Sequence, residues 1–484
     1  MFKASPDTSL QLVSKKDFLR VFSIVFLPML LAAVDQTLLA TATPAIVNDL
    51  GEMQLASWIM IAYLLATAAS VPVYGWLGDR YNRRNMLIVA LIIFTIGSIT
   101  SALAQSMPML IVGRVIQGLG GGGLMSLSQA LIGEFIPPRQ RARFQGYFAS
   151  LFAVASIGGP VIGGFVVSFL AWQWLFWINI PLAIYAGYRL MSLPTTKSTL
   201  MKRSIDWYGL ILFPIMMTTL IYWLTAGGNE FAWLSSESAI FIGSFTLLML
   251  LFVTQQRKTQ HSFLPLPLLA KKEIYIPLMS TFLFAACFFA LIFFLPIYLQ
   301  IGFGASASTS GLLLLPLTIG TITGSYTTGK VIARTAIPKW MPVIGMSITT
   351  IGFILLGTLA PNPKVIGALG FFCGIGLGTV MPSTQLLIQS VGGKQNLGRI
   401  TSMASLSRSL GASMGTALFG TLIYALIPSF SRDSGIEFLL NSPRDGIINA
   451  FQIGFLVAAV VAFCCVINAA CAPRVSLADL EKKW

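Results

Sequence analysis

The most constraining feature of this sequence is the recurrence of long apolar runs between Phe18 and Ala470, separated by short stretches that contain Gly, Pro or charged residues. An α-helix needs about 20 predominantly apolar residues to cross the hydrocarbon core of a bilayer. Only 10% of the 484 residues are charged and 56% are hydrophobic, whereas a soluble domain carries about 25% charged residues. The sequence therefore excludes an ordinary soluble globular protein and predicts an all-α polytopic membrane protein.

Fourteen of these runs are predicted to be membrane-spanning helices, which we number span 1 to span 14. The first has the basic start and the small residues Ala40 and Ala42 of a secretory signal peptide, but its apolar run is too long for one. We therefore expect it to remain as a helix. In chain order the spans cover residues 20–42, 57–77, 86–105, 108–132, 144–168, 174–193, 207–226, 238–254, 275–299, 310–333, 341–360, 365–388, 402–427 and 447–471.

The net charge of +15 is explained by where the basic residues lie. Of the 31 Lys and Arg residues, 26 lie in the termini, in the loops after spans 2, 4, 6, 8, 10 and 12, or at the span ends that adjoin them. The other loops hold only Lys364, Arg432 and Arg444, and the last two, Arg114 and Arg408, lie within spans. The positive-inside rule then predicts a multi-pass protein of the inner (cytoplasmic) cell membrane with both termini in the cytoplasm. The basic excess is a topology signal, so no nucleic-acid partner is expected.

The residues that commonly carry enzyme chemistry are scattered in this chain. The five cysteines lie inside apolar runs and are expected to pack rather than to form disulfides or bind a metal. The single histidine, His261, is expected in a solvated loop. A membrane enzyme such as a lipid-modifying transferase would need a set of acids, His or Cys at a membrane edge, and the loops offer none. We therefore expect a protein that is not an enzyme and that has no metal site and no cofactor.

Four short motifs occur in order along the first five spans. They resemble the LDxTxxxxAxP, GxLxDRxGRR, RxxQGxGxG and GPxxGG signatures of the major facilitator superfamily and its fourteen-helix drug/proton antiporter branch. With the helix count, the resemblance covers essentially the whole chain. The motifs are residues 31–44 around Asp35, the loop from Gly75 to Arg84, the segment from Arg114 to Gly123, and the segment from Gly159 to Gly164.

The resemblance implies a major facilitator fold, with two six-helix bundles facing each other across a central cavity and two further helices inserted between them. A degenerate second copy of the loop signature follows span 10, where Gly329 matches Gly75 but Ala333 replaces Asp79. This copy supports an internal repeat. In the first copy Asn82 replaces a Gly of the signature, and Asn tolerates a left-handed backbone better than most residues. The implied domains are an N-terminal bundle (1–193), the central loop with inserted spans 7 and 8 (194–270), a C-terminal bundle (271–473) and a cytoplasmic tail (474–484).

Asp35 and Arg114 are the candidates for proton coupling. Asp35 lies 15 residues beyond Arg20, which places it roughly 22 Å from the cytoplasmic face at a rise of about 1.5 Å per residue. A carboxylate at that depth is costly unless it is hydrated, paired or neutral, so it is a functional candidate. Arg114 is predicted at a similar depth, and the resemblance implies that it assists proton transfer. An ion pair without a role in transport remains an alternative.

The loop after span 2 is the candidate gate, with Gly75, Asp79, Arg80 and Arg83 as its principal residues. An acid in a short basic loop indicates a specific partner, such as an Arg or the N-terminus of a helix in the other bundle. The resemblance implies a latch on the outward-facing state, with Glu134 as a candidate partner for Arg83.

The glycine-rich segment of span 5 is the candidate antiporter motif, formed by Gly159, Pro160, Gly163 and Gly164. Small residues let membrane helices approach one another closely, and most glycines here and at residues 120–123 are expected to do only that. Pro160 removes a backbone hydrogen bond and is expected to kink the helix. We predict that span 5 bends at this point against the other bundle.

Arg408 in span 13 is expected near the midplane, although spans 9 to 14 contain no acid. It could bond backbone carbonyls, the amides of Gln385 or Gln389, water, or an anionic part of a substrate, and the sequence leaves these open. The candidate residues of a substrate cavity are Trp58, Tyr63, Gln129, Phe288, Gln385 and Arg408.

The predicted function is a proton-coupled secondary antiporter that exports amphipathic organic compounds such as drugs, biocides and dyes by alternating access. The proton gradient is the expected driving force, and the expected partners are the substrate, protons and membrane lipid. A dedicated exporter of a single metabolite, such as a siderophore or an amino acid, is the alternative within transport. A channel or receptor would show no dependence on a proton gradient. The chain is expected to act as a monomer, and a periplasmic adaptor is left open.

Overall fold

The computed structural model describes the chain except for residues 1–14, 40, 53–54, 57, 143, 195–204, 229, 260–261, 306, 360–361, 427–443 and 482–484. His261 lies outside the described residues. The N-terminal half (residues 15–193) contains α1 (Lys15–Leu38), α2 (Thr43–Leu50), α3 (Trp58–Tyr81), α4 (Arg83–Ala102), α5 (Met107–Phe135), α6 (Pro138–Ala142), α7 (Gln145–Phe169), α8 (Trp174–Trp177) and α9 (Asn179–Met191).

A pair of long helices follows, α10 (Trp207–Ala226) and α11 (Ser236–Lys258), and then the short α12 (Leu266–Leu269). The C-terminal half (residues 272–470) contains α13 (Lys272–Ile297), which continues as a π-turn (Tyr298–Gly302), α14 (Ala307–Thr335), α15 (Trp340–Thr358), α16 (Pro363–Gly378), α17 (Val380–Gly392), α18 (Leu397–Leu426) and α19 (Arg444–Ala470). A short helix in the tail, α20 (Leu477–Glu481), ends the described chain.

Eleven helices in the described part of the chain are long and apolar enough to cross a membrane. Each of the fourteen predicted spans overlaps a helix, but spans 6, 10 and 13 have no counterpart among the eleven. The region of span 6 is divided into α8 and α9, and α14 and α18 are rich in Gly, Ser and Thr. The chain is thus an all-helical, multi-pass membrane protein, and the count of fourteen spans stays a prediction.

Each half has its own apolar core. One cluster of buried hydrophobic side chains runs from Phe18 to Leu193, and a second runs from Phe284 to Cys465. Close helix contacts are made at glycines: a Cβ on Gly120 would collide with the backbone of α4, and one on Gly122 would collide with α3. The predicted packing role of this glycine run is confirmed, because only small residues let membrane helices approach so closely.

The α10–α11 pair packs against α3 and α18 through an apolar cluster that includes Trp76, Phe213 and Met403. Asp206 fixes the start of α10, because its carboxylate accepts hydrogen bonds from the backbone N–H of Gly209 (2.9 Å) and from Nε2 of Gln255 on α11 (2.7 Å). Only 11% of the apolar window of α11 is buried inside the protein. The pair therefore lies at the edge of the molecule, where most of α11 faces outward.

Candidate functional site

Asp35 on α1 and Arg114 on α5 form an ion pair inside the N-terminal half. Arg114 Nη1 lies 2.6 Å from Asp35 Oδ2, and 4% and 1% of the two residues are exposed. Gln117 lies one turn beyond Arg114; its Nε2 donates to Asp35 Oδ1 (2.8 Å), and its Oε1 accepts from Arg114 Nη1 (2.6 Å). The structure therefore contains the predicted pair, with both carboxylate oxygens bonded.

Arg114 also makes contacts that do not involve Asp35. Its Nε donates to the carbonyl oxygen of Ile59 (3.1 Å), and its guanidinium carbon lies 4.2 Å from the ring centre of Tyr63. The hydroxyl of Tyr63 donates to the carbonyl oxygen of Ala32 (3.4 Å), and only 1% of Tyr63 is exposed. Tyr63 is thus a buried wall of the ion-pair site, and its predicted place in a substrate cavity stays a prediction.

Gln117, Ser98 and Asn179 complete this site, and the sequence reasoning did not select them. Gln117 Nε2 also lies 2.8 Å from Ser98 Oγ, which in turn accepts from Asn179 Nδ2 at 3.2 Å. The available signal was the spacing of Arg114 and Gln117, because residues three apart lie on one face of a helix. The acid is therefore held by a polar network that joins α1, α4, α5 and α9.

The glycine motif of α7 packs on α1 within the same half. A Cβ on Gly159 would collide with Thr37, and one on Gly163 would collide with the carbonyl oxygen of Leu38. The hydroxyl of Thr37 donates to the carbonyl oxygen of Ala155 (2.9 Å). These two glycines have the close-packing role expected of them, because their shared face forms the groove that receives α1, and the bend predicted at Pro160 stays a prediction.

The other two residues of the glycine motif, Gly164 and Pro160, add no described contact to the packing of α7 on α1. A Cβ on Gly164 would have no atom within 4 Å, and the side chain of Pro160 lies outside the described residues. The first turn of α7 does reach the C-terminal half, where Gly146 faces Tyr326 of α14. Thus α7 contacts α1 through its glycine motif and the other half near its start.

Asp79 at the end of α3 joins the two halves. Its Oδ1 accepts from the backbone N–H of Gly398 (2.8 Å), and its Oδ2 accepts from the backbone N–H of Arg399 (2.9 Å), both in the first turn of α18. Arg83 Nη2 lies 2.6 Å from Asp79 Oδ1. Both kinds of predicted partner, an Arg and a helix N-terminus, are therefore present, and the helix dipole favours the negative charge at this point.

Arg83 extends this connection on both sides. Its Nη1 lies 2.7 Å from Glu134 Oε2, so the predicted contact with Glu134 is present. Its Nη2 also donates to the carbonyl oxygen of Lys394 in the C-terminal half (2.8 Å). We call this end of the bundle, where Asp79, Arg83, Glu134 and Lys394 meet, the basic end.

Gly75 and Arg80 have different parts in the same loop region. A Cβ on Gly75 would collide with Ser402 and with the carbonyl oxygen of Gly398, so a glycine is needed where α3 approaches α18. The guanidinium of Arg80 lies 5.3 Å from the ring centre of Trp76. Gly75 therefore permits the contact between the halves, and Arg80 stacks on its own helix.

Two amide side chains that are predicted to line a cavity form a hydrogen bond with each other between the halves. Gln385 Nε2 on α17 donates to Gln129 Oε1 on α5. One turn farther along α17, Gln389 accepts from Arg141 on α6 and donates to Thr401 on α18 (2.9 Å). These bonds add to the closure of the basic end.

Two aromatic candidates lie in apolar surroundings. Trp58 stacks on Tyr222 of α10 with 5.6 Å between ring centres. Phe288 of α13 is half-buried and lies 5.7 Å from Phe284 and 5.4 Å from Phe289. Trp58 therefore contacts the α10–α11 pair, and Phe288 belongs to an aromatic ladder along α13.

Arg408 of α18 is half-buried, and its guanidinium carbon lies 5.6 Å from the ring centre of Phe152 on α7. Within the part of the chain that the structure describes, Arg408 makes no hydrogen bond to Gln385, Gln389 or a backbone carbonyl. The contact with Phe152 thus links Arg408 to the N-terminal half.

Comparisons with known proteins agree with this architecture. Residues 25–416 match the model of the Major Facilitator Superfamily. The chain is 32% identical over 408 residues to an uncharacterized MFS-type transporter of Mycobacterium tuberculosis (strain ATCC 25618 / H37Rv), covering 83% of this chain but only 59% of the relative. It is 31% identical to the multidrug transporter protein MdtP of Bacillus subtilis (strain 168), covering 89% of this chain and 80% of the relative.

Solved structures share the fold at low sequence identity. The human organic anion transporter MFSD10 (TETRAN) superposes with a TM-score of 0.65 at 16% identity, covering 93% of this chain and 99% of that one. The proton:xylose symporter XylE gives a TM-score of 0.64 at 14% identity, covering 96% and 99%. The family match over residues 25–416 therefore shows that the chain belongs to the Major Facilitator Superfamily.

Proposed function

We propose that this transporter is a proton-coupled antiporter of the fourteen-helix drug/proton branch, which exports amphipathic organic compounds by alternating access. The observation that carries the proposal is the buried pair of Asp35 and Arg114. Asp35 is the one acid of the sequence inside a predicted span, and a buried carboxylate that alternates between charged and neutral forms can couple two conformations by its different stability in each.

The other contacts of Arg114 would hold it in place when Asp35 is protonated. When Asp35 takes a proton, the charge attraction to Arg114 is lost, but Arg114 keeps Gln117 Oε1, the Ile59 carbonyl and the Tyr63 ring. Arg114 therefore does not need to move out of the site. We expect α1 to move instead, because it is then held less strongly to α5.

The contact between α1 and α7 supplies a route from the proton site to the other half. Thr37 lies two residues beyond Asp35 and bonds to Ala155 on α7. The start of α7 faces Tyr326 of the C-terminal half. A shift of α1 would thus be passed to α7 and to its contact with α14.

The proposed topology places both termini in the cytoplasm of a cell whose inner membrane holds the protein, with two six-helix bundles and an inserted pair, α10 and α11. The contacts of Asp79, Arg83 and Gln129 across the basic end close that end. Because basic loops face the cytoplasm in most membrane proteins, these contacts support an outward-facing conformation.

The named relatives support drug-like substrates, since MdtP is called a multidrug transporter protein. Export of a single metabolite remains the competing assignment. A susceptibility screen with and without the gene, across cationic dyes, biocides and natural metabolites, separates the two, because a dedicated exporter protects against one compound class only.

The test of proton coupling is Asp35→Asn, which removes the titratable proton and keeps the size of the side chain. In proteoliposomes with an imposed pH gradient, we expect gradient-driven transport to be abolished while the protein stays folded and inserted. Asp35→Glu should retain partial activity, because its carboxylate moves by one methylene. Asp49→Asn is the matched control, since Asp49 is an exposed acid on α2 that bonds Trp172. Full gradient-driven transport by Asp35→Asn would remove Asp35 from the mechanism.

A further inference from the structure

Arg408 lies on the face of α18 that is turned toward the N-terminal half. Nine residues separate it from Arg399 in the first turn of the helix, which corresponds to about 13 Å along the axis. The neighbouring face of α18 packs on α13, where Ser407 Oγ donates to the carbonyl oxygen of Leu278 (2.6 Å) and Gly411 lies against Phe282. Arg408 therefore points away from its own half, toward Phe152 of α7.

The side chains that could have accepted a hydrogen bond from Arg408 or paired with its charge have other partners. Gln385 bonds Gln129, and Gln389 bonds Arg141 and Thr401. The acid of the N-terminal half, Asp35, is bonded by Arg114 and Gln117. Among the described residues of α13 to α19, the acids are Glu273 and Asp445, which lie in the first turns of α13 and α19. No acid of these helices therefore lies beside Arg408.

A guanidinium at this depth has five N–H donors and a permanent charge. A charge inside a membrane protein is costly unless it faces water or binds an opposite charge, and such residues commonly mark substrate pathways. The guanidinium plane matches a carboxylate with two parallel hydrogen bonds, which an ammonium group does not provide.

We propose that Arg408 is the anchor for a carboxylate on the exported compound, so that the preferred substrates are aromatic amphipaths that carry an anionic group, either as anions or as zwitterions. Phe152 would pack against the aromatic part of the same molecule. This assignment rests on the proposed export function and names its substrate class. The proposed site combines Arg408 of the C-terminal half with Phe152 of the N-terminal half. It is therefore complete only when α7 and α18 face each other.

The test uses two dyes that differ at one group. Rhodamine 110 carries a free carboxylate, and rhodamine 123 is its methyl ester, so the first is a zwitterion and the second a monocation on the same aromatic scaffold. Binding of each dye to the purified full-length protein in detergent is measured by fluorescence anisotropy for the wild type, Arg408→Gln and Arg408→Lys. Arg257→Gln is the control, because it removes an exposed charge at the end of α11.

We expect the wild type to bind rhodamine 110 more tightly than rhodamine 123. Arg408→Gln should weaken rhodamine 110 binding on the order of tenfold, the usual effect of losing a charge-assisted hydrogen bond, and leave rhodamine 123 within about twofold. Arg408→Lys should fall between, because it keeps the charge and loses the planar pair of donors. Arg257→Gln should change neither.

The proposal would be overturned if Arg408→Gln changed the affinity for both dyes equally or for neither, which would mean that Arg408 is only hydrated or structural. Gradient-driven transport of both dyes in proteoliposomes is measured in parallel. If rhodamine 123 were transported and the protein did not prefer rhodamine 110 over it, the export function would stand and the anion site would be rejected. Carboxylate-selective binding without any gradient-driven transport would support the anion site and reject proton-coupled export.

Discussion

The carboxylate of Asp79 accepts hydrogen bonds from the backbone N–H groups of Gly398 and Arg399, so a side chain of one half caps a helix of the other. Because the donors are backbone groups, the contact depends on the position of the first turn of α18 and not on its side chains. Gly75 permits this position, since a Cβ there would collide with the Gly398 carbonyl oxygen. Closure of the basic end is therefore built into the backbone geometry of α3 and α18.

Asp79→Asn is expected to impair transport without blocking membrane insertion. The amide keeps the size and one oxygen acceptor but loses the charge that the N-terminus of α18 and Arg83 stabilise. The loss of a charged acceptor is worth about 1.5–3 kcal/mol, so we expect the ratio of molecules closed at the basic end to molecules open there to fall by about tenfold or more. Spin labels on the basic ends of the two halves measure this ratio. A large loss of substrate affinity with no change in the populations would contradict the gating role.

Leu477→Asp, a substitution in the tail helix α20, is also expected to weaken the closure of the basic end. Leu477 is fully buried with Ala142 of the N-terminal half and Leu386 of the C-terminal half, and its N–H donates to the carbonyl oxygen of Ala336 (2.8 Å). Burying a Leu side chain contributes about 1.5–3 kcal/mol, so the ratio of closed to open molecules should fall by about tenfold or more in the same spin-label experiment.

Leu477→Met is the matched control for the tail, because it keeps the apolar volume. Equal closed fractions for Leu477→Asp, Leu477→Met and the wild type would show that α20 does not hold the halves together.

Reporter tags fused after Trp484 or within residues 197–202 are expected to lie in the cytoplasm, because basic loops remain on that side of the membrane. Both positions lie outside the described residues, so the expectation rests on the sequence alone. Protease protection in intact cells and in inverted vesicles measures the side. A periplasmic tag at either position would reverse the orientation and turn the closed basic end outward.

The sequence could predict the contacts of charged residues because a charge in or beside an apolar run needs one of a few kinds of stabilising partner. Asp35, Arg114 and Asp79 could be selected in this way, and each has the kind of partner that was expected. Asn82 follows the same logic: it replaces a Gly, has a φ of 109°, and its side chain accepts from the N–H of Arg84 at the start of α4.

The sequence could not predict which helix a small or apolar residue meets. Gly159 and Gly163 indicate a close approach, but their spacing is equally compatible with α1 and with the other half. Tyr63 is one of many aromatic residues in a chain with 12% aromatic content, and only tertiary packing assigns it to Arg114. Leu477 stands in a tail too short for a periodic pattern, so nothing in its neighbourhood predicts burial between the halves.

The charges of the interior lead to a last prediction about substrates. Asp35 is paired with Arg114, while Arg408 has no acid beside it among the described residues, so these three charges within the predicted spans leave one positive charge over. Repulsion in a medium of low dielectric constant should disfavour dications more than monocations. We expect cells that express the protein to resist mono-quaternary ammonium biocides better than matched bis-quaternary ones, and Arg408→Ala to narrow this gap. Minimum inhibitory concentrations measure both effects, with Arg257→Ala as the control. Equal resistance to the two series, unchanged by Arg408→Ala, would show that this charge does not act on the substrate.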